Sequence, residues 1–279
     1  MLKLFHHSPA TVLITYPTTR LSESLDRGQP VDIWDLSKFS YPWPTENEAE
    51  IFRNFGPEDL RAAMQGSHVR HCVFVQCLND CIRGSIVHES RAPLMRKREA
   101  VSTWLCNTGR SRVWGVWMCQ EADKHSFIKG IVAGIDITSD KLNATLNILT
   151  GHPRIVGIRH ILDLEPDKEW LAREATIKGL IQCTSSLSFL GNSHGLEWLT
   201  EADLKAWKEK DFEPYVKHVL NCFGPERCMF GSDWPVCGLA GATYSDVFNM
   251  MLRLVSKLSP GNEAAIFRDN AVRFYGLKI

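Results

Sequence analysis

Met229, Phe230, Gly231 and Ser232 lead into Asp233, Trp234 and Pro235, a short apolar run that delivers a carboxylate with an aromatic ring and a proline behind it. A carboxylate at the C-terminal tip of a strand, followed by a loop and a helix, is how a (β/α) barrel presents a catalytic acid or base. Such a group takes the proton of an attacking water, so the chemistry it suits is hydrolysis. The imidazoles that normally share this work are scarce. His6 and His7 adjoin each other with no strand pattern around them and read as surface residues. His194 sits among Gly191, Asn192, Ser193 and Gly195, which is turn chemistry. His160 follows Arg159 at the end of an apolar stretch, and neighbours on a strand point to opposite faces. Only one of the two can face a pocket while the strand lasts. Cys72, Cys77 and Cys81 lie near His68 and His71, a grouping that resembles a metal cluster. Residues 72–78 read instead as a buried strand in which cysteine acts as a small apolar side chain.

The elements that must position these groups follow from periodicity. Phe212, Tyr215, Val216, Val219, Leu220 and Phe223 share one helical face, and Gly224 and Pro225 stop it. A strand is expected over 227–231. Val247, Met251, Leu254, Val255 and Leu258 form a second helical face, and Ala264, Phe267, Ala271 and Phe274 a third, closed by Gly276. Upstream, Pro57, Glu58 and Asp59 start a helix, with proline in the first turn and acids at the positive dipole end. Strands are expected at 72–78, 128–137 and 155–161, helices at 140–149 and 170–181, and one serine-rich strand within 183–190. Helices alternating with near-continuous apolar strands mark a parallel sheet covered on both faces.

Bulk properties narrow the class. At 279 residues the chain suits a single large α/β domain, since an eightfold barrel takes about 250 residues. Lys+Arg and Asp+Glu are equal at 32 each, so no overall field favours nucleic acid or a membrane surface. A small-molecule partner is expected, with self-association into a homo-oligomer. The nine cysteines are odd in number and form no Cys-x-x-Cys pair, which favours a reducing, cytoplasmic compartment. No apolar run approaches the roughly 20 residues that span a bilayer. Residues 1–30 show no clear period beyond the apolar run at 12–16, and residues 81–113 read as a basic, solvated surface insertion.

The motifs together resemble the amidohydrolase-related family of the metal-dependent hydrolase superfamily, and within it the sugar-lactone hydrolases of the L-fuconolactonase type. Trp34, Asp35 and Leu36 with Tyr41, Pro42 and Trp43 are similar to its opening, Val73 to Gln76 to its second strand, and Gly130 to Asp136 to its third. Val156 to His160 resembles the fourth strand, Leu199 to Asp203 a late loop and helix start, Phe230 to Val236 the eighth strand and its loop, and Asn270 to Leu277 the closing helix. About two thirds of the chain is covered. The resemblance implies a (β/α)8 TIM-barrel-like α/β fold that opens a sugar-acid lactone with water. It assigns Asp233 as base or metal ligand, His160 as catalytic partner, and Arg159, Trp234 and Trp34 to the substrate. The implied cofactor is one divalent metal, zinc.

Two departures qualify this. The family opens with a His-x-His pair, and the corresponding positions hold Pro30, Val31 and Asp32. Catalytic zinc sites retain three protein ligands plus water, so losing two imidazoles leaves too few donors. The stretch at 182–198 is also too short for the three βα units the family places there. An incomplete barrel with five or six clear strands is therefore expected. It would comprise an atypical segment at 1–30 and a single domain over 31–279, with the insertion at 81–113 and the shortening at 182–198. The alternative function is a catalytically inactive variant that acts through protein association.

Overall fold

The computed structural model describes residues 10–16, 50, 51, 53, 55–76, 119, 122–159, 169–184, 188–190 and 206–279. Its described strands form one parallel sheet whose spatial order follows the chain: β1 (Ala10–Tyr16), β2 (Val69–Gln76), β3 (Ile128–Gly134), β4 (Ile155–Arg159) and β5 (Ser188–Leu190). Parallel neighbours need crossover connections, and helices supply them. α1 (Pro57–Ala63) precedes β2, α2 (Leu142–Thr150) joins β3 to β4, and α3 (Glu174–Thr184) joins β4 to β5. The chain then continues through α4 (Glu209–Phe223), α5 (Tyr244–Leu258) and α6 (Asn270–Tyr275). Within the atypical segment 1–30 the described residues are 10–16, which take in the apolar run at 12–16 and form β1, paired with β2 from Ala10 to Tyr16.

Both faces of the sheet are dry. Cys72, Phe74, Ile131, Ala133 and Ile158 belong to the main core, while Val73, Val75 and Val132 pack with Ala271, Tyr275 and Leu277 on the other side. Ile155 and Ile158 share the main core although three residues apart, which strict alternation forbids. The register explains it. Ile131 pairs with Ile155 but Val132 with Gly157, so Val156 is an extra residue that turns the strand over. Gly130 lies where this kink brings strands and C-terminus together, and a Cβ there would sit 2.5 Å from Val156 Cγ2 and 3.3 Å from Leu277 Cδ2.

Two expected strands are corrected. Over 227–231 there is a 3-10 turn at Pro225–Arg227, then extended chain with a single bridge residue at Gly231. Side chains from the last helix bind carbonyls of this turn and of Cys228. Asn270 Nδ2 donates to the Pro225 and Cys228 oxygens at 2.7 Å each, and an Arg273 guanidinium N–H donates to the Glu226 oxygen at 2.6 Å. Among the described residues of 183–190, Ser188–Leu190 is strand, while α3 runs on to Thr184. Thr176, Gly179 and Cys183 fall at helical spacing on the buried side, and a Cβ on Gly179 would collide with the Ile137 carbonyl. The third C-terminal helix also differs in winding, with a π turn at Ala265–Asp269 before α6.

Below the 229–235 run lies an aromatic cluster. Phe230 stacks on Phe267 at 4.9 Å between centroids, and Phe248 meets Phe230 and Phe267 edge-on at 5.6 and 5.3 Å. Phe267 is fully buried, whereas Phe274, seven residues further on, is 42% exposed. Phe267→Ala is expected to cost about 3–5 kcal/mol. Phe274→Ala, which leaves no closed cavity, should cost less than about 1 kcal/mol. Urea denaturation of the two variants checks this, and equal losses would place the cluster elsewhere.

Candidate functional site

The chain enters the site from Cys228 in extended form, and the Phe230 N–H donates to the Ile266 carbonyl at 3.0 Å, fixing the extended chain to the π turn. Ser232 is fully buried and its hydroxyl oxygen accepts from the Trp234 N–H at 3.3 Å. Between them Asp233 takes φ 49°, the one non-glycine residue with positive φ among those described. Left-handed backbone disfavours a Cβ, and aspartate is among the few residues that adopt it. The Asp233 carbonyl then accepts the Cys237 N–H at 2.9 Å, and the Pro235 carbonyl accepts the Gly238 N–H at 2.9 Å, so the loop winds into the 3-10 turn Val236–Ala240. Trp207 secures the far end by donating its indole N–H to the Ala240 carbonyl at 2.8 Å.

Trp234 anchors this loop from beneath. It is 8% exposed and meets Phe55 edge-on at 5.2 Å. The indole assigned to substrate by resemblance thus packs into the core in this structure. Asp233 itself is half-buried. The effect of its charge is visible on Cys237, whose thiol is pushed up to about 12, first by burial and then by the Asp233 carboxylate. That thiol stays protonated at neutral pH, which makes it a poor metal ligand and a poor nucleophile.

Arg159 closes β4, opposite Gly134 of β3, and is 4% exposed. Its charge acts on Tyr275 of α6, whose hydroxyl is raised above its ordinary value by burial, with Arg159 opposing. The Tyr275 hydroxyl is buried without a hydrogen-bond partner among the described residues. Periodicity marks Tyr275 only as part of a capped helix, so nothing in the sequence points to its meeting Arg159. His160 and Trp34 lie outside the described residues, as do His6, His7, Pro30, Val31, Asp32 and His194. Asp136, at the end of the third strand's run, is a loop residue: its carboxylate accepts the Thr138 N–H at 2.8 Å and the Thr138 hydroxyl at 2.7 Å.

Among the described residues no group of three or more His, Cys, Asp or Glu side chains is placed to hold an ion. Asp233 has the protonated Cys237 thiol for a neighbour, so the described residues do not fit a catalytic zinc site of three protein ligands.

Comparison with known proteins bears on the same residues. An amidohydrolase family model matches residues 187–277, which include the Asp233 loop and α6. The L-fucono-1,5-lactonase of Burkholderia ambifaria is 23% identical over 298 aligned residues, covering 87% of this chain and 92% of that protein. The L-fucono-1,5-lactonase of Burkholderia multivorans is 42% identical over 84 residues, 28% of each chain. Among solved structures, an amidohydrolase from Burkholderia multivorans with bound zinc superposes with TM-score 0.66 at 18% identity, covering 97% of this chain and 100% of that one. A 5-carboxyvanillate decarboxylase from Novosphingobium aromaticivorans superposes at 0.54 with 11% identity, over 97% and 98% of the two chains.

The positive φ gives a test of the loop alone. Asp233→Gly removes the Cβ penalty and should leave stability unchanged or raise it by up to about 1 kcal/mol. Asp233→Val puts a β-branched side chain in the left-handed region and should lower stability by about 1–3 kcal/mol. Thermal unfolding of the pair decides it. The opposite order would mean that residue 233 has ordinary backbone.

Proposed function

From a chain that is an amidohydrolase-related, lactonase-like protein, we propose a hydrolase of the lactone or amide type whose sheet belongs to a (β/α) barrel, with Asp233 as its proton acceptor. The observation that carries this reading is the conformation of the Asp233 loop. An aspartate held at φ 49° where extended chain becomes loop, tied on both sides to buried residues, is the strained placement that clusters at functional sites. One domain carries the whole arrangement, since β1 and α6 pack with the same sheet.

The proposed chemistry is ring opening of a sugar-acid lactone. Water attacks the lactone carbonyl while the Asp233 carboxylate takes its proton; the ring C–O bond then breaks, and that proton passes to the departing alkoxide to leave the hydroxy acid. Negative charge grows on the carbonyl oxygen during attack, and donors aimed at it are worth several kcal/mol. Arg159 and His160 are the groups proposed to face that oxygen, with Trp34 shaping the pocket around the ring and Trp234 supporting the loop from the core. No step is routed through a metal, because the described donors do not fit one.

A second reading has its own support. Pro30, Val31 and Asp32 replace the imidazole pair that the family's opening carries, so the chain suits an inactive relative acting through association, including with copies of itself. Ring opening of L-fucono-1,5-lactone, followed by a pH indicator in weak buffer, separates the two. On the hydrolase reading the full chain turns the lactone over, and Asp233→Asn lowers kcat by about 10²–10⁴ without change in circular dichroism. Inert protein that elutes as an oligomer supports the second reading and overturns the first.

A further inference from the structure

A groove of about 430 Å³ opens between the turn after α1 and the start of β3. It is well separated in sequence from the Asp233 loop, and none of residues 233–243 lines it. Its walls carry Arg61, Arg70 and Ser126, with Phe127 as a half-buried apolar surface. The volume falls within the range of small-molecule sites.

The sheet itself aims the cations. Ala10 pairs with Val69 but Thr11 with His71, so Arg70 is an extra residue at the slip; Cys72 pairs with Ile128 but Val73 with Gly130, so Lys129 is another. Register slips re-aim side chains and recur beside binding sites. Arg70 is exposed and Lys129 half-buried, and neither makes an ion pair among the described residues. Arg61 lies over the Phe127 ring, 5.0 Å from its centroid. Its one anionic partner is Glu58 at 3.4 Å, which is 71% exposed and also 3.6 Å from His125. A solvent-exposed pair of this kind is weak and leaves the guanidinium available. The positive field reaches inward as well: His71 is held below its ordinary value first by burial, then by Lys129 and Arg70.

We propose that this groove is a binding site for an organic phosphate, with Arg61, Arg70 and the Ser126 hydroxyl around the phosphate and Phe127 against the carbon portion. Guanidinium groups match phosphate oxygens in pairs, and an arginine stacked on an aromatic ring is already oriented for that contact. The apolar wall and the volume favour an esterified phosphate over the free ion. The inference does not depend on the hydrolase reading.

Calorimetric titration of the full chain at low ionic strength, with phenyl phosphate as the probe and inorganic phosphate and sulfate as comparators, tests it. Phenyl phosphate should bind saturably and about tenfold tighter than either comparator. Arg70→Ala and Arg61→Ala should each weaken it at least tenfold, and Phe127→Leu should weaken phenyl phosphate while leaving inorganic phosphate unchanged. Asp233→Asn should bind as wild type does, which separates this site from the catalytic one. Absence of saturation, sulfate binding as tightly as phenyl phosphate, or wild-type affinity in both arginine variants would each overturn the proposal.

Discussion

The structure turns on how Asp233 is held. Two sets of contacts converge on it: aromatic packing below, through Phe230, Phe248 and Phe267 on one side and Trp234 against Phe55 on the other, and the Cys237 N–H donating to its carbonyl. Aromatic pairs of this geometry add about 0.5–1.5 kcal/mol each beyond the burial itself. Together they match or outweigh the roughly 1–3 kcal/mol that a left-handed non-glycine residue costs, so the strained backbone can persist. The sheet sets the frame, the C-terminal helices fill it, and the loop inherits its shape from both.

The fold was legible wherever burial and period agree. Residues 57–63, 128–134, 142–150, 155–159, 209–223 and 244–258 carry apolar side chains at helical spacing or in short continuous runs, and each element forms within a few residues of where it is expected. Legibility failed where side chains replaced backbone partners. Asn270 and Arg273 satisfy carbonyls between Pro225 and Cys228, and no local pattern around 227–231 announces donors more than forty residues away. It failed again at Cys183, where a serine-rich stretch hides a helical turn that Gly179 allows to press against Ile137. β1 was visible only as an apolar run, since its pairing with β2 is a long-range fact.

The site was half legible. Asp233 stands out from its motif, and the amidohydrolase family model, which matches residues 187–277, includes that segment. The burial of Trp234 was open in the sequence, because an indole beside a candidate acid suits a ring platform and a core plug equally well. Cys237 and Tyr275 gave no signal of their own; one matters through a backbone N–H and the other through a buried hydroxyl beside Arg159. Arg70 of the 430 Å³ groove was equally silent, since the register slip at which it sits has no sequence signature.

What unites these features is a rigid loop on a packed support, and rigidity is measurable residue by residue. Native-state amide hydrogen exchange at Cys237 is the most direct measurement, because its N–H makes the bond that closes the turn on Asp233. The account predicts protection at Cys237 comparable to that at Phe230, whose N–H is bound to Ile266 in the core, with both opening only in large-scale unfolding. Exchange of Cys237 at the rate of an open loop, while Phe230 stays protected, would contradict it.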